Sequence, residues 1–385
     1  MTSIGDMVNI QSNPLSHEPH PEFMDNGYLG IEVEVEEFHA LERLKYWHFT
    51  DDGSLRRNGG ELVLKEPMRG RDVVSALEEL RDTYGDKWGG IAAPSCSVHV
   101  HVDVRDFDAD QFIALLGLSI MFEGALYNVT GKRDYNLFCL SQSHAPGTLL
   151  SAGRRLTGAL FQGATEATST LVEGLIASAG KYSGINMNAQ NLGTVEYRHM
   201  EGTLDFDRIL KWIKVLLCLS GTARQKPDLM SMFQDISCEG PEVLCHRIFG
   251  EHAEEMVYPE MHRDCMQNLR LVQVLLTLRN PSKFELGHNP EFFKKFGERG
   301  TAWAPLHEKA VSAVSTEMTQ DNLSSIIDNM IALTHEETVK SNNPCAEVGI
   351  GEMPGWQRQI IQNQYERRNV VIDDYDDDMI DEEVE

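Results

Sequence analysis

YLGIEVEVEEF, residues 28–38, places Glu32, Glu34 and Glu36 on alternate positions between Ile31, Val33 and Val35. A β-strand sends successive side chains to opposite faces, so this spelling makes one face apolar and the other a row of three carboxylates. Carboxylates that close repel one another and raise one another's pKa unless a cation or solvent takes up the charge. The row therefore faces water or holds metal, and Glu36 at its end reads as the solvated member.

Three further stretches share this peculiarity. SVHVHVDV, 97–104, alternates His99, His101 and Asp103 with Val98, Val100 and Val102. TVEYRHM, 194–200, sets Glu196 and Arg198 on one side, and in GGELVLKE, 59–66, Glu61 follows a Gly59-Gly60 pair that lets a ligand approach the backbone closely. Taken singly, each has an ordinary reading: a solvated sheet face, a pair of surface or core histidines, a plain ion pair. Taken together, carboxylates plus imidazole are the ligand set of Mg²⁺ or Mn²⁺. Arg56, Arg57 and Arg133, each an ordinary surface charge when read alone, would turn such a metal site into one for nucleotide phosphates.

Composition agrees with a folded protein. The chain has 385 residues, of which 41% are hydrophobic and 24% charged, enough to bury a core without disulfides. Seven scattered cysteines contain no CxxC pair, which argues against a zinc ribbon and suits a reducing cytoplasm. The formal net charge of -26 makes non-specific binding to nucleic acid an unfavourable prospect, because that binding rests on Lys and Arg neutralising phosphates. The first residues lack the basic and apolar blocks of a signal peptide, and no apolar run approaches the roughly 20 residues of a membrane span. A soluble cytoplasmic protein is expected.

Along the chain, residues 1–26 are polar, carry three prolines and read as irregular. Apolar spacing predicts helices over 71–85, 109–130 and 205–221, whereas 141–180, rich in Ser, Gly, Ala and Thr, fits helix or loop equally. The expected organisation is an irregular segment 1–26, a catalytic region 27–221, a mostly helical region 222–370 and an acidic tail 371–385.

The quoted stretches also resemble a known family, the amidoligases of the glutamine synthetase-like, carboxylate-amine ligase fold. The resemblance rests on GIEVEVE, on DGSL followed by GGELV and Pro67, on CSVHVHVDV, and on NMNAQNLGTVEYRHMEGTLDFDRILKWI, and it spans about 27–220. GKRDYNLFC, 131–139, is similar to the family's Arg-Asn-Tyr-Cys stretch with Phe138 in place of tyrosine, and Ser97 stands where the family often has glycine. The fold so implied is α+β, a curved, largely antiparallel sheet with packed helices, followed by a helical C-terminal region. The resemblance implies Glu32, Glu34, Glu61, His99 and Glu196 as metal ligands, and His101, Arg133, Lys181, Asn186 and Arg198 as contacts to the nucleotide. Glu196 and Arg198 would serve catalysis, Arg198 facing the transferred phosphate.

The implied reaction uses ATP and Mg²⁺ or Mn²⁺ to join a carboxylate and an amine, small molecules or peptides, through an acyl-phosphate. Amidoligases of this type are often found in bacteriophages, which would make the compartment a host cytoplasm. Two rival functions share the pattern: another ATP-dependent phosphotransferase of the same broad fold, such as a guanidino kinase, and a non-catalytic interaction protein that retains the fold. The tail VIDDYDDDMIDEEVE carries nine acids and no base, so it reads as solvated and disordered. Deleting 371–385 removes no apolar core, and the melting temperature in scanning calorimetry is expected to stay nearly unchanged.

Overall fold

The structure is a computed structural model that describes residues 2–10, 20–84, 96–142 and 183–279, apart from positions 26, 38–43, 53–54, 56–58, 132, 134–135, 137–138 and 188, together with 149, 152, 155–156, 159 and 167–177. Among these residues the alternating segments form strands β1 (Leu29–Val35), β2 (Trp47–Asp51), β3 (Gly60–Leu64), β4 (Ser97–Asp103), β5 (Ile185–Asn186) and β6 (Thr194–Glu201). They make one open antiparallel sheet in the order β2-β3-β1-β4-β6-β5. The α+β expectation is met. Strands β2 and β5 were not anticipated: β2 is a five-residue edge strand beside turn residues, and β5 has two residues.

Register follows the hydrophobic pattern, because a slip by one residue would turn every side chain to the wrong face. Glu32 lies opposite His99, Glu34 opposite Glu61, and His101 opposite Glu196, so the polar positions of four strands share one face. On the other face Ile31, Val33, Leu62, Val98, Val100 and Tyr197 are fully buried. This face packs on helices: Phe206–Arg224 lies against β4, and Arg71–Tyr84 and Ala109–Met121 pack against Phe206–Arg224. Trp47 Nε1 donates to the carbonyl of Ala76 at 2.8 Å, clamping the edge strand to Arg71–Tyr84.

Several local outcomes differ from the pattern read in the sequence. The expected irregular N-terminal segment contains the helix Ile4–Val8, closed by a Ser3/Asp6 capping box and hydrogen-bonded to the carbonyls of Phe107 and Arg105. The expected helix 109–130 divides into Ala109–Met121 and Glu123–Thr130, bent by 63°. Ser119 bonds back to the carbonyl of Leu115 and Phe122 leaves helical geometry, both features that interrupt a helical ladder. The expected boundary at 221 falls inside Phe206–Arg224, and Leu229, Ile236, Leu244, Phe249, Leu269 and Leu275 beyond it share the same core cluster. Ala167–Ala177 is helical; residues 280–370 and the acidic tail lie outside the described residues. Among those described, no single helix is long and apolar enough to cross a membrane.

Under β6, His199 is fully buried, with its ring centroid 4.6 Å from that of Tyr127 and 5.8 Å from that of Trp212. Burial, and secondarily the Arg133 charge, push its pKa down to about 3 from the ordinary 6.5. An unfolded chain takes up this proton near 6.5 and the folded chain only near 3, so the group withdraws stability as pH falls through that interval. Urea denaturation across this range is expected to show the decline, and His199→Phe to flatten it.

Candidate active site

The carboxylate row is buried. Glu34 and Glu36 are 6% and 3% exposed, His99, His101 and Glu196 between 4% and 6%, while Glu32 and Glu61 are partly open. The expectation that Glu36 faces water is therefore corrected: its side chain lies under cover at the end of β1. Several like charges buried together require cations or hydrogen-bond donors.

The structure supplies both. His99 Nδ1 lies 3.1 Å from Glu32 Oε2 and 3.4 Å from Glu196 Oε1, while its Nε2 meets Ser97 Oγ at 2.8 Å. The backbone N–H and the hydroxyl of Ser97 both donate to Glu34 Oε2 at 2.6 Å. Ser97 thus occupies one oxygen of Glu34 and one nitrogen of His99. Glu196 accepts from Asn186 Nδ2 at 2.8 Å and from Arg198 at 2.5 Å. Glu61 sits further along the row, its Oε1 3.1 Å from Thr50 Oγ1.

These neighbours set the charges. For Glu32 burial opposes ionisation, but the His101 and His99 imidazoles beside it outweigh this and hold the carboxyl well below its usual range. Glu196 is likewise lowered, burial being overcome by Arg198 and the two histidines. Burial and the charge of Glu32 push Glu61 upward. His101 is raised, burial being overcome by Glu32.

Among the described residues Glu32, His101 and Glu196 each offer a ligand atom, and these lie within 4.8 Å of one another. His101 Nδ1 is 3.0 Å from Thr194 Oγ1; an imidazole donating there presents the lone pair of Nε2 to the carboxylates. That Nε2 is buried, lies 3.3 Å from Glu32 Oε1 and makes no hydrogen bond of good geometry. Gly30, opposite His101, leaves room for it, since a Cβ there would stand 3.3 Å from the His101 Cβ. A buried nitrogen aimed at two carboxylates fits a divalent cation.

His101, read as a nucleotide contact, lies with Glu32 and Glu196, and His99, read as a metal ligand, stands between Glu32, Glu196 and Ser97. Glu34 and Glu61 adjoin the set along the same face. Arg133 donates to the carbonyl of Met200 at 2.9 Å and so braces β6. Lys181 lies outside the described residues, as do Arg56 and Arg57. Thr194 was missed in the sequence; its register position beside Asp103 appears only when β4 and β6 pair.

Residues 31–220 match the model of a family described as "Putative amidoligase enzyme". The match covers all six strands apart from the first residues of β1, and it supports an amidoligase assignment for this region. The family description supports an enzyme and suggests a ligase. No curated protein matches the chain.

Glu32→Gln is expected to weaken Mn²⁺ binding by at least about tenfold, since even outer partners of metal ligands are worth that much. Isothermal titration reads the loss, and an unchanged circular dichroism spectrum separates it from unfolding. Retained affinity would place the cation elsewhere.

Proposed function

We propose that the chain is an ATP-dependent carboxylate-amine ligase of glutamine synthetase-like fold, forming an amide bond through an acyl-phosphate. The observation that carries this reading is the buried convergence of Glu32, His101 and Glu196, with Arg198 on Glu196, inside the matched region. A bound Mg²⁺ or Mn²⁺ would neutralise nucleotide phosphates there.

The chain's own residues have separable tasks in this reading. Glu32, Glu196 and the Nε2 of His101 hold the cation, and Thr194 fixes the His101 ring. Asn186 orients Glu196 from β5. Arg198 supplies positive charge where the phosphoryl oxygens gather negative charge, the kind of preorganised stabilisation that lowers such barriers most. Glu34, Glu61 and His99 extend the polar face beyond this set.

The chemistry balances in two steps. An oxygen of the substrate carboxylate bonds to the γ-phosphorus of ATP, and the bond from that phosphorus to the ADP oxygen breaks. The amine nitrogen then bonds to the acyl carbon, the carbon–oxygen bond to phosphate breaks, and the nitrogen loses a proton. The products are amide, ADP and phosphate. The protein contributes position and electrostatics, and the substrates are small-molecule or peptide carboxylates and amines.

Hydroxylamine tests this without knowledge of the natural amine. Incubated with ATP, Mg²⁺ and a panel of amino acids and peptides, the protein is expected to release ADP and yield a hydroxamate detectable by mass spectrometry. Arg198→Ala is expected to lower that yield by about 10²-fold or more. A phosphorylated product formed without any amine would establish a kinase instead, and no ADP with any of the panel would favour a non-catalytic role.

A further inference from the structure

Arg198 stands where the regular pairing of β6 lapses on both sides. Toward β4, Val98 pairs with Met200 but Val100 pairs with Tyr197, so Arg198 and His199 bulge against the one residue His99. Toward β5, the register covers Tyr197 and Glu196. The Arg198 N–H still donates to the carbonyl of Gly184 at 2.8 Å. The Gly184 N–H, which an antiparallel pair would give back to Arg198, goes instead to the carbonyl of Leu140 at 2.7 Å. The Arg198 carbonyl has therefore lost its ladder partner, at the residue whose guanidinium reaches Glu196.

Cys139 and Arg133 answer that carbonyl. Cys139 Sγ lies 3.0 Å from it, and Arg133 Nη1 lies 3.5 Å from it and 2.9 Å from the carbonyl of Met200. Cys139 is fully buried, and burial pushes its thiol up to about 11, so at neutral pH it keeps a proton to donate. A thiol has one proton, and the Tyr127 hydroxyl, at 3.6 Å, is the more distant acceptor. The backbone that carries both donors is itself fixed. The Asn136 N–H donates to the carbonyl of Arg133 at 2.7 Å, and the Cys139 N–H donates to that of Asn136 at 2.9 Å. From the helix Glu123–Thr130, the Tyr127 hydroxyl donates to the carbonyl of Cys139 at 2.8 Å.

Rate depends steeply on such placement, since a displacement of about 1 Å in a catalytic group can cost on the order of 10²-fold. A strand carbonyl with no partner would leave the Arg198 backbone free to shift, and its guanidinium with it.

We propose that Cys139 and Arg133 are positioning residues that clamp the Arg198 carbonyl and so aim its guanidinium at the transferred phosphoryl group. The clamp stands on the geometry; its effect on rate rests on the ligase reading.

Hydroxamate formation and amide hydrogen exchange, both on the full chain, test the two parts separately. Cys139→Ala is expected to lower kcat about tenfold with KM for ATP little changed. Cys139→Ser, which keeps a hydroxyl donor, is expected to recover most of that rate. In an Arg198→Ala background Cys139→Ala is expected to cost nothing more, because both changes then act on the same group. Equal losses in the two backgrounds, or in Cys139→Ser and Cys139→Ala, would reduce Cys139 to a packing residue. Arg133→Met is expected to lower kcat likewise; a raised KM for ATP instead would make Arg133 a nucleotide contact and remove it from the clamp. Hydrogen exchange in the peptide containing Arg198 is expected to quicken severalfold in Cys139→Ala and to stay slow in Cys139→Ser. Should the unaltered protein make no hydroxamate, the ligase reading fails, and exchange alone then decides the clamp: an unchanged rate in Cys139→Ala would overturn it.

Discussion

The structure depends on burying like charges together. In a sheet exposed on one side, a row such as Glu32, Glu34 and Glu36 would be harmless, since water screens it. Here the polar face is covered as well, and Glu34, Glu196, His99 and His101 are almost wholly removed from solvent. An isolated carboxylate in such a place would take up a proton to lose its charge. Glu32 and Glu196 do the opposite and stay ionised, because His99, His101 and Arg198 stand against them. The His99 and His101 rings stand 3.1 and 3.3 Å from Glu32.

Antiparallel pairing makes that arrangement cheap in sequence terms. Glu32 faces His99, and His101 faces Glu196, through register alone. The apolar residues between them fix the register by packing on Phe206–Arg224 and its neighbours, so the same alternation that builds the core also sets the ligand spacing. Where β6 departs from strict alternation, the bulge at Arg198 and His199 gives each face a residue it would otherwise lack. The cost is a buried imidazole among Tyr127, Tyr197 and Trp212, which are otherwise apolar in their contacts with it.

Ser97 links two members of the site. Its hydroxyl lies between Glu34 and His99, drawing both into hydrogen bonds along β4. An imidazole with both nitrogens engaged is a poor ligand, whereas one anchored through Nδ1 to Thr194 presents the other nitrogen. Glycine at position 97 would leave Glu34 Oε2 with one donor fewer.

By itself the sequence determined the α+β class, the long strands β1, β4 and β6, the helices Arg71–Tyr84 and Phe206–Arg224, and the faces on which the glutamates and histidines lie, because each of these follows from local periodicity. It also placed Glu196 and Arg198 side by side, since residues two apart on a strand share a face wherever that strand goes. Only the tertiary structure decided how His99 and His101 stand to Glu32 and Glu196, that Glu36 is covered, that Arg133 braces β6, and that 109–130 bends at Phe122. Those outcomes turn on register between strands far apart in the chain, on what covers the second face of the sheet, and on competing hydrogen bonds from Ser97 and Thr194. None of these is a property of spacing along one strand, so no local pattern could carry them.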